Sequence, residues 1–235
     1  STIASNVSAL LAMQGKKVLH IGCDPKVDST RLLCKERIKT VLEVLEEKDY
    51  PEREDLVYRS ESGVWCVESG GPEAGNGCAG MGIITAMKEL ERIGVLEEDW
   101  DVIIYDVLGD VVCGGFSVPM RQGYVDRVYI VSSADFMSLY AANNISSAVR
   151  NFEDRSYARV FGIVLNHRNV ENETEKVQAF ADKSGIPIVG EIPRSDEIIR
   201  WEDQGKTVIE GDAGSEISRR FFDLAEMLLK AEEEE

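Results

Sequence analysis

Short apolar runs alternate along the chain with longer segments in which apolar residues recur at helical spacing. The short runs predict buried strands at 18–21, 64–69, 100–105, 125–133, 157–168 and 186–193. The longer segments predict helices at 1–13, 38–50, 83–94, 135–152, 174–185, 198–205 and 215–235. Strands that alternate with helices imply right-handed crossovers and a largely parallel sheet. The pattern therefore predicts an α/β fold with a doubly wound, mostly parallel sheet flanked by helices.

The length and composition are typical of a globular protein. The 235 residues suffice for one large domain with a substantial core, and 43% of them are hydrophobic. No repeat or linker interrupts the pattern, so we expect a single domain over 1–235. No apolar run is long enough to cross a bilayer and no signal peptide is recognisable. These features predict a cytoplasmic protein that has no membrane partner.

The charge of the chain is strongly acidic, since 43 Asp and Glu residues face 26 Lys and Arg residues, for a net charge of −17. Nucleic acid is excluded as an expected partner because like charges repel. The five cysteines, an odd number, favour reduced thiols or metal ligands over a set of disulfides.

Polar residues follow the first predicted strand. Asp24, Lys26 and Asp28 lie on the loop after 18–21. Carboxylates and a lysine at this place suit a magnesium and phosphate site, because a doubly wound sheet binds ligands at the carboxyl ends of its strands. A polar turn that only caps the next helix is the alternative.

A second strand end carries two kinds of chemistry within the stretch 106–116, DVLGDVVCGGF. Asp106 and Asp110 are carboxylates at the end of strand 100–105, and Cys113 stands beside two glycines that leave the backbone open to a bulky group. A nucleotide-sensing carboxylate and a soft-metal ligand on one loop predict that hydrolysis is coupled to a redox centre.

Cys78 and Cys113 occur in similar settings, GCAG and VCGG, each before a predicted helix start that favours a thiolate. An iron–sulfur cluster needs four thiolates, and a two-fold homodimer would supply the second pair. Two buried structural thiols are one alternative. Zinc is another, although the chain has no C-x-x-C and offers only His20 and His167.

The first predicted helix begins with Ser1 and Thr2. A hydroxyl pair at this place is typical of the helix that follows a phosphate-binding loop of the form G-x-x-x-x-G-K-S/T. The glycines and the lysine of such a loop are absent from the sequence. An ordinary helix that starts with serine is the alternative.

Four segments together carry a family resemblance: GCDPKVDSTRL, CVESGGPEAGNGCAG, YDVLGDVVCGGF and YAANNIS. They occur in order over nearly the whole chain, and they closely resemble the nitrogenase iron protein family. That family includes the reductase subunits of nitrogenase-like enzymes that act on tetrapyrroles.

The resemblance implies an ATP-dependent oxidoreductase component with ATP and magnesium as cofactors. It implies a homodimer with one bridging 4Fe–4S cluster, for which Cys78 and Cys113 are the ligands. It also implies two protein partners, a larger catalytic reductase component and a low-potential electron donor such as ferredoxin or flavodoxin.

The resemblance assigns the loop with Asp24, Lys26 and Asp28 to a first switch that senses phosphate and magnesium. Asp106 and Asp110 lie on the second switch. There Asp106 fits the magnesium side and Asp110 the carboxylate that orients the attacking water.

The remaining assignments concern the nucleotide. The resemblance makes Ser1 the hydroxyl residue that holds magnesium, with Thr2 beside it. Asn166 and the pair Pro193 and Arg194 match the segments that recognise the base.

Two departures from the family pattern accompany these assignments. Without the phosphate loop, we expect the sequence to be incomplete at its N-terminus and not to bind or hydrolyse ATP normally as written. Met81 occupies the place of an arginine that serves docking and regulatory ADP-ribosylation in nitrogenase iron proteins. Two other functions stay open, a partitioning or assembly ATPase of the same superfamily and a binding module that does not hydrolyse nucleotide.

Overall fold

The structure is a computed structural model that describes residues 1–71, 79–109, 118–121, 123–153 and 158–230. The described residues fall into two compact units. The first unit contains 1–71, 79–108 and 199–213, and the second contains 109, 118–121, 123–153, 158–198 and 214–230.

Seven strands are present in the described part of the chain. They are β1 Val18–Gly22, β2 Tyr58–Arg59, β3 Trp65–Glu68, β4 Val102–Asp106, β5 Arg127–Ser132, β6 Arg159–Asn166 and β7 Ile188–Ile192. The six longer strands overlap the six that the apolar pattern predicts.

The described helices alternate with these strands. They are α1 Thr2–Met13, α2 Arg31–Cys34, α3 Val41–Glu47, α4 Arg53–Leu56, α5 Ala79–Arg92, α6 Val118–Arg121, α7 Phe136–Glu153, α8 Glu173–Ser184, α9 Asp196–Glu202, α10 Val208–Gly211 and α11 Glu216–Lys230. None of the helices described is long and apolar enough to span a membrane.

The first unit contains a four-stranded sheet in the order β2-β3-β1-β4. Strand β1 lies at its centre and pairs in parallel with β3 and β4. All five residues of β1 are buried, which is the usual state of a central parallel strand. Gly22 is in register with Glu68 on one side and with Asp106 on the other, so three strands end at the same level.

The second unit contains a parallel three-stranded sheet in the order β5-β6-β7. Its core includes Ile163 and Leu165 of β6 together with Val177 and Ala181 of α8. On β7, Gly190 leaves room for α11, because an added Cβ would lie 2.7 Å from Cδ1 of Leu224. Parallel strands with helices packed on them confirm the predicted α/β class.

Two stretches differ from the sequence prediction. The helix predicted at 38–50 begins at Val41, because the Thr40 hydroxyl accepts a hydrogen bond from the Glu43 N–H and forms a capping box with it. The segment 51–63, for which the apolar pattern predicts no helix or strand, contains α4 and β2, and β2 pairs antiparallel with β3. Strand β2 has only two residues, too few for a periodic apolar signal.

Candidate functional site

The carboxyl ends of β1, β3 and β4 bring two acidic side chains to either side of Gly22. The approach is close: a Cβ at Gly22 would lie 2.2 Å from Oε2 of Glu68 and 2.7 Å from Cβ of Ser29. Glycine is therefore required at this strand end, where the backbone makes room for Glu68 and for the loop after β1.

Asp106 ends β4 at the edge where the sequence predicts magnesium and phosphate. Its Oδ2 accepts a hydrogen bond from the Ser29 hydroxyl, and its Oδ1 lies 3.7 Å from the main-chain nitrogen of Ser1. A carboxylate beside a serine hydroxyl is a set of hard oxygen donors, which magnesium prefers. Asp106 is thus an oxygen ligand that fits a magnesium ion at this edge of the sheet. The hydroxyl of Thr2, by contrast, donates to Oε1 of Glu202.

The loop after β1 carries the other predicted residues of this site. The main-chain N–H of Lys26 donates to Oδ1 of Asp24 over 2.9 Å, and its Nζ lies exposed, 3.6 Å from Oδ2. Val27 has a φ of 58°, a left-handed conformation that is strained for a β-branched residue. Asp28 is exposed, so the loop presents charged groups while Ser29 anchors it to Asp106.

A buried histidine extends this anchor into the core. His20 of β1 is fully buried; its Nδ1 lies 2.8 Å from the Ser8 hydroxyl and its Nε2 lies 2.7 Å from the Ser29 hydroxyl. Burial lowers the pKa of His20 to about 4, against the attraction of Asp106 for the charged ring. The ring is therefore neutral at pH 7.

Glu68 is the second buried carboxyl group at this edge. Its Oε1 accepts hydrogen bonds from the N–H of Thr30 over 2.7 Å and from the Thr30 hydroxyl over 2.8 Å. Its Oε2 is buried and has no hydrogen-bond partner in the part of the chain that the structure describes. Burial raises the pKa of Glu68 to about 7, although the bonds from Thr30 oppose the shift.

In the second unit, the predicted base-recognition residues also meet at the carboxyl ends of strands. Asn166 ends β6 in register with Ile192, and Pro193 and Arg194 follow β7 directly. Asn166 is half-buried, whereas Pro193 and Arg194 are exposed. The structure thus brings the two segments to one edge of the second sheet.

His167 follows Asn166 at the same edge. Its Nδ1 lies 2.9 Å from Glu173 and its Nε2 lies 3.0 Å from Glu191. Burial lowers the pKa of His167, but the two carboxylates outweigh burial and the pKa is raised.

Three predicted residues, Asp110, Cys78 and Cys113, lie outside the described residues. The other three cysteines, Cys23, Cys34 and Cys66, are free thiols. Cys23 and Cys66 are buried; burial raises the pKa of Cys23 to about 12, and the hydrogen bond with Cys34 raises the pKa of Cys66.

Sequence reasoning did not assign a role to several residues of the first edge: Ser8, Gly22, Ser29 and Glu68. It considered His20 only as a zinc ligand, whereas the structure places the ring between two serine hydroxyls. A usable signal was present, because His20 and Glu68 are the polar residues of the apolar strands VLHIG and WCVE. A polar side chain that a strand buries requires a partner, and its partner lies at the site.

Comparison with solved structures supports the fold class. The cell division ATPase MinD of Pyrococcus furiosus superposes with a TM-score of 0.74 at 20% identity and covers 98% of this chain and 92% of its own. The septum site-determining protein MinD of Pyrococcus horikoshii, solved with Mg-ADP, superposes with a TM-score of 0.75 at 20% identity, covering 98% and 90%. At this identity the likeness concerns the fold alone, which is a doubly wound α/β fold.

The sequence comparisons identify the family. The family model described as "4Fe-4S iron sulfur cluster binding proteins, NifH/frxC family" matches residues 1–234. Nitrogenase iron protein 2 of Methanothermobacter thermautotrophicus is 49% identical over 226 residues, which are 96% of this chain and 83% of the relative. The nitrogenase iron protein of Methanococcus voltae is 46% identical over 228 residues, 96% and 82%. The chain belongs to this family of ATP-dependent iron–sulfur electron donors, whose cofactors are a 4Fe–4S cluster and Mg-ATP.

Proposed function

We propose that this protein, as a homodimer, passes low-potential electrons to a larger nitrogenase-like reductase component and resets itself by hydrolysing ATP at the carboxyl edge of its first sheet. The observation that carries the proposal is the register of Gly22 with Glu68 and Asp106. At this level the Ser29 hydroxyl donates a hydrogen bond to Asp106 and so joins the β1 loop to β4. The ends of β1 and β4 are adjacent, which supports our proposal that the two switches begin there.

In this proposal Ser1 and Asp106 hold magnesium, with Thr2 beside Ser1. Magnesium, when bound, neutralises phosphate charge. Asp24, Lys26 and Asp28 present charged groups to the phosphates from the β1 loop, where the strain at Val27 is typical of a segment with two conformations.

The water that attacks the terminal phosphate requires a carboxylate to orient it, and we assign this role to Asp110. Asp110 lies four residues after Asp106 in the sequence and Cys113 three residues further on, so we infer that a change at the magnesium site is passed along this segment.

Cys78 and Cys113 are assigned as the cluster ligands, two from each subunit of the homodimer. The assignment is supported by the state of the other thiols. Cys23 and Cys66 are buried and hold their protons, and Cys34 is hydrogen-bonded to Cys66. A cluster ligand has to be a thiolate, which the environments of Cys23 and Cys66 disfavour. The hydrogen bond with Cys66 lowers the pKa of Cys34, but it also engages that sulfur inside the protein.

The second sheet edge is assigned to the base of the nucleotide, with Asn166, Pro193 and Arg194 as the recognising residues. The half-buried side-chain amide of Asn166 offers both hydrogen-bond donors and an acceptor, which suits the edge of a purine. We propose that the chain forms a single domain over 1–235.

The proposed electron source follows from the family resemblance, and the proposed catalytic partner follows from Met81. Ferredoxin or flavodoxin is the proposed donor, in the cytoplasm. Met81 is 58% exposed on α5, three residues after Cys78, and offers an apolar contact in place of a cation. We therefore propose a nitrogenase-like reductase, such as one that acts on a tetrapyrrole, as the catalytic partner.

The cluster assignment is tested by measuring iron and the electron paramagnetic resonance of the reduced cluster in anaerobically purified full-length protein. A shared four-iron cluster requires about two irons per chain. Cys78→Ser and Cys113→Ser are expected to lose the iron and the signal. Cys34→Ser is the matched control and should keep both. An iron content that stays near two in Cys78→Ser would contradict the assignment.

The partner is tested by adding reduced protein and ATP to a molybdenum dinitrogenase component and measuring ammonia or ethylene. We expect no turnover with the wild type and a gain with Met81→Arg. Turnover by the wild type comparable to that of the cognate iron protein would contradict the partner assignment, without affecting the cluster assignment.

A further inference from the structure

A line of hydrogen bonds runs through the core of the first unit and ends on Asp106. It begins at Ser8 of α1, passes through the ring of His20 in β1 and the hydroxyl of Ser29, and reaches Oδ2 of Asp106. Ser8, His20 and Ser29 have no solvent-exposed surface. Three elements and one loop are thus connected by side chains that water cannot reach.

The carboxylate at one end determines the direction of every bond in the line. Ionised Asp106 can only accept, so the single hydroxyl proton of Ser29 points to it. Ser29 must then accept from His20, which places the ring proton on Nε2. The neutral ring has no proton left on Nδ1, which therefore accepts from the Ser8 hydroxyl. The three bonds all point toward Asp106 and polarise one another in the same sense.

Packing alone does not account for these residues. A histidine between two serines costs desolvation that an aliphatic side chain in a buried central strand would avoid. All four groups are satisfied only in the arrangement that holds Ser29 against Asp106. In that arrangement Oδ2 is occupied, and Oδ1 remains on the side of Ser1.

We propose that His20 is a positioning residue for the magnesium site: it holds the Ser29 hydroxyl on Oδ2 of Asp106 and so directs Oδ1 toward the metal. The inference rests on the proposed function in that the group being positioned is the magnesium carboxylate. Because Ser29 follows Asp28 on the β1 loop, the same bond fixes the end of the first switch.

Two substitutions at His20 and one control separate positioning from packing. His20→Leu fills the space but offers Ser29 no N–H, whereas His20→Gln retains an N–H at the end of its side chain. Ser5→Ala is the matched control, because Ser5 also lies buried on α1 and also bonds Ser29, over 2.8 Å, but through the main-chain carbonyl of Ser29.

The first measurement is the tautomer of His20 by nitrogen NMR of ¹⁵N-histidine-labelled full-length protein at pH 7. The ring signals that disappear in His20→Leu are those of His20. We expect a neutral ring with its proton on Nε2. A proton on Nδ1, a mixture of tautomers or a charged ring would overturn the proposal whether or not the protein binds nucleotide.

The second measurement is the magnesium concentration that gives half-maximal ADP binding in the full-length protein. His20→Leu should raise it about tenfold, the effect of losing one well-placed buried hydrogen bond. His20→Gln should recover most of that loss, and Ser5→Ala should change it less than about twofold. Equal effects of His20→Leu and Ser5→Ala would reduce His20 to a packing residue. If the wild type binds ADP equally well without magnesium, the proposed metal site is wrong. The tautomer of His20 then still tests the direction of the hydrogen bonds between Ser8 and Asp106.

Discussion

The two histidines of this chain occupy opposite environments in two otherwise similar places. His20 lies in the central strand of the first sheet, fully buried between the hydroxyls of Ser8 and Ser29. His167 lies just after a strand of the second sheet, one-fifth exposed between the carboxylates of Glu173 and Glu191. Burial lowers the pKa of His20 to about 4, whereas for His167 the carboxylates outweigh burial and raise the pKa.

The opposite pKa shifts of the two histidines indicate that the two strand edges have different functions. At the first edge a neutral ring transmits the orientation of a hydroxyl without adding charge beside Asp106. At the second edge burial would raise the pKa of Glu173, but the N–H of Arg168 and the His167 ring outweigh it and hold the pKa at about 2. That edge is therefore an ion-paired support for the loop after β6. We expect chemistry at the first edge and binding at the second.

The largest expected effect tests directly whether chemistry belongs to the first edge and binding to the second. Asp110→Asn in the full-length protein should lower ATP turnover about 100- to 10,000-fold while ADP still binds, because a positioned carboxylate contributes that much to such a step. Asn166→Ala at the second edge should weaken ADP binding and leave turnover at saturation nearly unchanged. Steady-state hydrolysis and equilibrium binding measure both. If Asn166→Ala loses as much turnover as Asp110→Asn, the two edges do not have separate functions.

The next effect concerns the pH dependence of stability at the first edge. The folded-state pKa of Glu68, about 7, lies above the ordinary value of 4.5. Its contribution to stability is complete below pH 4.5 and is lost as pH rises through 7, by roughly 3 kcal/mol at most. Glu68→Gln stays neutral and should not show this loss. The free energy of unfolding by urea at pH 5 to 8, measured on both proteins, tests it; parallel pH curves would contradict it.

His20 acts in the opposite sense over nearly the same range. Its folded-state pKa, about 4, lies below 6.5, so its contribution is complete above pH 6.5 and is lost as pH falls toward 4, again by roughly 3 kcal/mol at most. His20→Leu should therefore be less sensitive to acid than the wild type, although its stability at pH 7 is lower. The contributions of Glu68 and His20 change with pH in opposite directions. The unfolding free energy of the wild type should therefore vary less with pH than that of Glu68→Gln or His20→Leu. If the unfolding free energy of His20→Leu still falls steeply as pH decreases, a group other than His20 causes the acid sensitivity.

A smaller effect belongs to His167. Because its folded-state pKa is raised, its contribution is complete below pH 6.5 and is lost as pH rises through the folded-state value. His167→Gln should flatten the unfolding free energy above pH 6.5. The measurement is cleanest in the Glu68→Gln background, where the overlapping change from Glu68 is absent. An unaltered slope would mean that Glu173 and Glu191 do not pair with a charged ring.

The sequence predicts the backbone of both edges well and their side-chain partners poorly. Strand β1 and the place of Asp106 at the carboxyl end of β4 follow from short apolar runs. Such a run depends only on residues that are neighbours in the sequence. The bond from Ser29 to Asp106 and the bond from Thr30 to Glu68 depend on which strands are adjacent in the sheet. Pairing of β1 with both β3 and β4 is a property of the tertiary fold, and no local pattern encodes it.

The last and smallest prediction compares one strained residue at each edge. Val27 after β1 has a φ of 58° and Asn172 after β6 a φ of 57°. Asparagine tolerates the left-handed region, whereas a β-branched side chain does not, so the strain of about 1 kcal/mol or more is confined to the first edge. Val27→Gly should raise the unfolding free energy by about 1 kcal/mol, less the entropy cost of glycine, and Asn172→Gly should change it by a few tenths. If the strain keeps the β1 loop ready to change conformation, Val27→Gly should also slow ATP turnover, and Asn172→Gly should not. Unfolding by urea and steady-state hydrolysis measure the two effects separately, and a stabilised Val27→Gly with normal turnover would make the strain incidental to the switch.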